Sequence, residues 1–71
     1  MPSAKARDFQ RVARNLGFAK SGQKGSHELW EHADGRRTTI PIHGNREIGP
    51  PLFFKILEQL GVSFEEFQRL R

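Results

Sequence analysis

Residues 26–42 read Ser26-His27-Glu28-Leu29-Trp30-Glu31-His32-Ala33-Asp34-Gly35-Arg36-Arg37-Thr38-Thr39-Ile40-Pro41-Ile42. The first half, Ser26 to Ala33, predicts a strand. Successive side chains on a strand point to opposite faces, so His27 and Leu29 share one face and Glu28 and Trp30 the other. Ala33-Asp34-Gly35 predicts a hairpin turn of the Asp-Gly kind. The second half, Arg36 to Ile42, predicts the returning strand, rich in the β-branched Thr38, Thr39, Ile40 and Ile42. Pro41 donates no ladder hydrogen bond and therefore belongs at an edge, a bulge or the strand's end.

Upstream of this hairpin, Phe18 to Gln23 fits a short edge strand, and Lys24-Gly25-Ser26 a turn that feeds the next strand. Before it, Ala6, Phe9, Val12, Ala13 and Leu16 recur at steps of three and four, which predicts a helix over Ser3–Leu16 with one apolar stripe. Ser3 is its candidate N-cap, and Gly17 sits where a left-handed C-cap favours glycine. Downstream, His43-Gly44-Asn45-Arg46 reads as a loop. Gly49-Pro50-Pro51 opens a second helix with Phe53, Ile56, Leu57 and Leu60 as its apolar face, and Gly61 ends it. Ser63-Phe64-Glu65-Glu66 is a capping-box pattern, so a short C-terminal helix follows, with Phe64, Phe67 and Leu70 expected to face inward. The order is α-β-β-β-α with that extra turn of helix. It predicts an α+β, two-layer, double-stranded-RNA-binding-like fold, with helices on one face of a three-stranded antiparallel sheet. Fold order by itself does not give function.

With 71 residues the chain has room for one domain, spanning 1–71. A domain of this size buries only about 60% of the surface its unfolded chain exposes. Almost every apolar side chain is then needed for the core, and no small-molecule cofactor is expected. Cysteine is absent, which excludes disulfides and thiolate metal sites. No apolar run approaches the roughly 20 residues that cross a bilayer, and the N-terminus lacks the apolar stretch of a secretory signal, so no membrane association and a cytoplasmic location are expected. Twelve basic against eight acidic residues give a net charge of +4. Residues 1–46 hold nine basic and four acidic groups, whereas residues 47–71 hold three and four. A positive surface of this kind suits a polyanion such as RNA. Charge that serves only solubility is the competing explanation.

Lys24-Gly25-Ser26-His27 is the densest candidate site. Glycine allows a sharp turn and close approach of backbone to ligand. The serine hydroxyl and turn amides can bond phosphate oxygens, and lysine adds a cation. An imidazole titrates near neutral pH, so His27 can take the proton of a ribose 2′-hydroxyl or return one to a leaving group. RNA carries its own nucleophile in that hydroxyl, so cutting it requires only a placed acid or base and cations around the phosphate. The plainer alternative for His27 is a strand histidine packed beside Leu29. His32 reads as a solvated turn residue, and His43 as a loop residue able to reach substrate or to orient a turn. The spacing of the three histidines places no two ligands together, so no metal site is expected. Arg36-Arg37, at the hairpin tip, suits either phosphate contact or solubility. Trp30 is either core or a base-stacking surface. Phe54 lies beside its helix's apolar stripe, where exposure would suit a protein partner.

Several pieces in order resemble a known family: Gly17-Phe18; Lys24-Gly25-Ser26-His27; His32-Ala33-Asp34-Gly35-Arg36; Ile40-Pro41-Ile42-His43-Gly44; Glu47-Ile48-Gly49-Pro50; Ile56-Leu57; and Gly61-Val62-Ser63 through Phe67. Together they look like the HicA toxins, the messenger-RNA interferases of type II toxin–antitoxin systems. That resemblance implies a metal-independent endoribonuclease whose catalytic histidine, in the Gly-Ser-His motif, is His27. Lys24, Gly25, Ser26, Arg36, Arg37 and His43 are then expected to contact RNA. The implied partners are messenger RNA and a HicB-type antitoxin that covers the active surface. A non-catalytic RNA-binding module of the same fold is the alternative. It usually carries a lysine cluster where this chain has Pro50-Pro51-Leu52-Phe53-Phe54 followed by Lys55. Relatives often carry a second histidine where this chain has Glu28, and tyrosine or another aromatic where it has Trp30. Strand alternation places Glu28 on the face opposite His27.

Overall fold

The structure is a computed structural model that describes residues 2–71. Its elements run β1 (Ala4–Lys5), α1 (Ala6–Asn15), β2 (Ala19–Lys24), β3 (His27–Glu31), β4 (Arg37–Pro41), β5 (Glu47–Ile48), α2 (Leu52–Leu60) and α3 (Phe64–Leu70). Strands β2, β3 and β4 form a three-stranded antiparallel sheet in that order, so β2 and β4 are its edges. This is the α+β architecture that the patterning predicts. Pro41 takes the permitted place, as the last residue of an edge strand.

The helices cover one face of the sheet. From β3, Glu28 and Trp30 are buried on that side, while His27 and Glu31 are exposed and Leu29 is partly so. β4 supplies the buried Thr38 and Ile40. Beneath the sheet three rings form a closed triangle: Phe9 of α1, Phe53 of α2 and Phe67 of α3, with centroids 5.1–5.6 Å apart. Offset and edge-on contacts of this kind add about 0.5–1.5 kcal/mol per pair to the area buried. Val12, Ile56 and Leu60 complete the interior with no exposed surface. Trp30 is therefore core, and its ring is not available for stacking on a base.

Three expectations are corrected. Ser3 is not the cap of α1. The helix begins at Ala6 because Ala4 and Lys5 pair with Ile48 and Glu47 in a second, two-stranded sheet. Ser3 Oγ instead donates to Glu47 Oε1 at 2.6 Å, and the Asp8 carboxylate accepts from the Lys5 amide at the helix start. Phe64 does not face inward. It is 37% exposed, its ring resting against Phe53 at 6.0 Å. His32 is not a freely solvated turn residue, for reasons given below. At the other end of the chain, Ser63 Oγ accepts from the Glu66 amide and the Glu66 carboxylate accepts from the Ser63 amide, the reciprocal pair that the sequence announces.

Candidate functional site

β2 and β3 are joined by the two residues Gly25-Ser26. Gly25 has φ +59°, and among the described residues none other than glycine has positive φ. Glycine in the first central position followed by a residue of negative φ is the II′ arrangement that matches strand twist. The turn sets Lys24 directly across from His27. On the other side His27 pairs with Pro41, and the Ile42 amide donates to the Ser26 carbonyl at 2.6 Å, carrying the ladder past the end of β4. His43 is then the next residue on the same face, diagonal to His27, where cross-strand side chains still reach each other. The two imidazoles lie with ring centroids 6.4 Å apart and planes at 87°. Both are exposed.

Beside His27 the sheet surface sinks into a shallow depression of about 550 Å³, lined by Gly22, Gln23, Lys24, His27, Leu29 and Thr39. Gly22 borders open space: a Cβ placed there would meet no atom within 4 Å. Gly22, Leu29 and Thr39 were not singled out from the sequence. Gly22 does carry a signal, because glycine inside a strand marks a place where something approaches the backbone closely. Leu29 and Thr39 carry none beyond strand alternation.

Glu28, next to His27 in the chain, points through the sheet. Burial pushes its carboxyl up, but donated hydrogen bonds outweigh that and hold it below the ordinary value of 4.5. The donors are Gln10 Nε2 at 2.8 Å and Trp30 Nε1 at 3.1 Å, and Lys20 Nζ lies 3.3 Å away. Its negative charge is thus paired with Lys20 of β2 on the helix-covered side of the sheet rather than presented beside the imidazole.

Arg36 and Arg37 stand elsewhere. Arg37 pairs with Glu31 at the far end of β3, roughly 13 Å along the strand from the Pro41–His27 pair at about 3.3 Å per residue. The Arg36 side chain is occupied. Its Nη1 donates to the Leu60 carbonyl at 2.6 Å, its Nε donates to Asp34 at 2.8 Å, and its guanidinium lies over the Phe18 ring at 5.2 Å. The Arg36 backbone amide also donates to Asp34, and these contacts hold that carboxyl below its usual range. Gly61, at φ +81°, both ends α2 and makes room for the guanidinium: a Cβ there would sit 2.8 Å from Arg36 Nη1. His32 is part of the same assembly. Its ring packs edge-on to Phe18 at 5.2 Å and its Nδ1 accepts from the Asp34 amide at 3.0 Å. The structure therefore brings together Lys24, Gly25, Ser26, His27 and His43, and leaves Arg36, Arg37 and His32 at the opposite end of the hairpin. Among the described residues no group of three or more His, Asp or Glu side chains converges as metal ligands would, and no helix is long and apolar enough to cross a membrane.

The family profile described as the HicA toxin of bacterial toxin–antitoxin systems matches residues 6–62, from the start of α1 to just past the end of α2. The chain belongs to the HicA toxin family. As a HicA toxin it is one member of a toxin–antitoxin pair, with an antitoxin as its partner. No individual curated protein matches the chain significantly. The matched stretch contains the Gly25 turn, both exposed histidines and the depression, and leaves α3 outside it.

Proposed function

We propose that this HicA toxin is an endoribonuclease that cuts messenger RNA, with His27 as the proton-transfer residue. The observation that carries this is the exposed His27 imidazole at the mouth of the Gly22 depression, opposite Lys24 and just after the Gly25 turn. Lys24 supplies a cation for the phosphate, Gly25 and Ser26 supply turn amides and a hydroxyl, and His43 closes the site from the β4 side. Arg36 is left out of the RNA contacts because its donors are engaged within the fold. The reaction uses the 2′-hydroxyl of the substrate as nucleophile, so the chain needs to contribute only proton transfer and charge, and no bound metal is required. The antitoxin, of HicB type, is expected to lie over this open sheet face, and the toxin to act in the cytoplasm.

The test is induction of the wild-type chain and of His27→Ala in a bacterial host, following growth and the integrity of total RNA. The wild type is expected to arrest growth and fragment messenger RNA. The variant should do neither, with a cleavage rate down by about 10²–10⁴-fold, the usual share of one acid–base group. Equal fragmentation by both would remove His27 from the reaction.

A further inference from the structure

We infer that His43 is a second proton-transfer residue, so that RNA is cut by a histidine pair rather than by His27 alone. The inference rests on the nuclease reading above and goes beyond phosphate contact for His43.

Three features of the site lead here. The two rings share one sheet face, 6.4 Å apart and nearly perpendicular, so both are within reach of a single phosphodiester laid across that face. Their spacing is built rather than incidental, since the Ile42–Ser26 backbone bond fixes the residue before His43 against the residue before His27. Both rings are also uncommitted. His32 has its Nδ1 engaged by the Asp34 amide, whereas among the described residues neither His27 nor His43 has a side-chain hydrogen-bond partner or ion pair.

Strand cleavage by the 2′-hydroxyl needs two proton transfers. The 2′-oxygen attacks phosphorus as one imidazole takes its proton. The bond from phosphorus to the 5′-oxygen breaks as the other, an imidazolium, gives that oxygen a proton. The products are a 2′,3′-cyclic phosphate and a 5′-hydroxyl. One proton is taken and one given, no water is consumed and no other reactant is needed. A single imidazole can serve only one of these oxygens at a time, and each donor or acceptor must stand within about 2.6–3.2 Å of its own. His43 supplies the group that His27 cannot.

The experiment compares wild type, His27→Gln and His43→Gln on a short oligoribonucleotide centred on a link that the wild type cuts. A second oligonucleotide carries sulfur in place of the 5′-bridging oxygen at that link. A thiolate departs without being protonated, so loss of the general acid is repaired on sulfur and loss of the general base is not. Both variants are expected to cut the oxygen substrate about 10²–10⁴-fold more slowly while binding it with near wild-type affinity. One of the two should recover on the sulfur substrate and the other should not, which also assigns acid and base. His43→Gln cutting the oxygen substrate within a few-fold of wild type overturns the inference. So does a loss matched by an equal loss of affinity, which would make His43 a phosphate contact only. If His27→Gln alone is slow, the nuclease reading stands and the pair falls. If the wild type cuts no RNA, both fall together.

Discussion

The two ends of the β3–β4 hairpin hold similar side chains and use them in opposite ways. At one end His32 and Arg36 are locked against Phe18, Asp34 and the last carbonyl of α2, that of Leu60. At the other, His27, His43 and Lys24 face solvent around a hollow. Residue type alone does not separate a histidine that builds the fold from one poised for chemistry. The separation comes from what stands opposite: a packed ring and a helix terminus at one end, a glycine floor and a tight turn at the other.

That contrast breaks if the closed end proves functional. Arg36→Ala removes the donor to the Leu60 carbonyl and the cation over Phe18, and leaves Asp34 with the residue-36 backbone amide but without the guanidinium. The expected loss is about 2 kcal/mol, typical of a hydrogen-bonded charged group removed from a partly buried site. For a domain of this size that lowers the melting temperature by roughly 8–16 °C. Calorimetry checks the stability. RNA cleavage at a temperature where the variant remains folded should stay within a few-fold of wild type. A cleavage loss as deep as that of His27→Ala, with the fold intact, would place Arg36 in the site after all.

A smaller effect sharpens the comparison between the two faces of the sheet. Glu28 is held below its ordinary value of 4.5 by its hydrogen bonds. Such a group is bound more tightly as an anion in the folded chain, so its contribution to stability is complete above that value. It is lost as the pH falls through the lowered folded value. Glu28→Gln is expected to be less stable than wild type by about 1 kcal/mol at neutral pH, with the gap closing on acidification below the ordinary carboxylate range. Urea midpoints at the two pH values measure it. A gap that persists in acid would mean that shape rather than charge makes Glu28 fit.

Much of this was legible in the sequence because local rules act over a few residues. Period-two alternation in residues 27–31 divides Glu28 and Trp30 from His27 and Leu29, and the burial pattern follows that division, with the Glu28–Trp30 side inward. The Ser63–Glu66 box and Gly61 mark helix ends by chemistry contained within one turn. What was not legible depends on partners far along the chain. The β1–β5 pair is too short to show any period, and its two strands lie more than forty residues apart. Arg36 finds a carbonyl at Leu60, which no spacing rule reveals, so it read as a free cation. The depression leaves no mark in the local pattern, because Gly22, Leu29 and Thr39 meet there only through the pairing of three strands.

The most direct test is to map where RNA touches the chain. Backbone amide chemical shifts of the non-cleaving His27→Ala variant, recorded with a short oligoribonucleotide, should move at Gly22, Lys24, Gly25, Ser26, Thr39 and His43 while His32, Gly35 and Gly61 stay still. Shifts clustered instead around His32, Arg36 and Arg37, with the Gly22 hollow silent, would contradict the assignment of the open end as the working one.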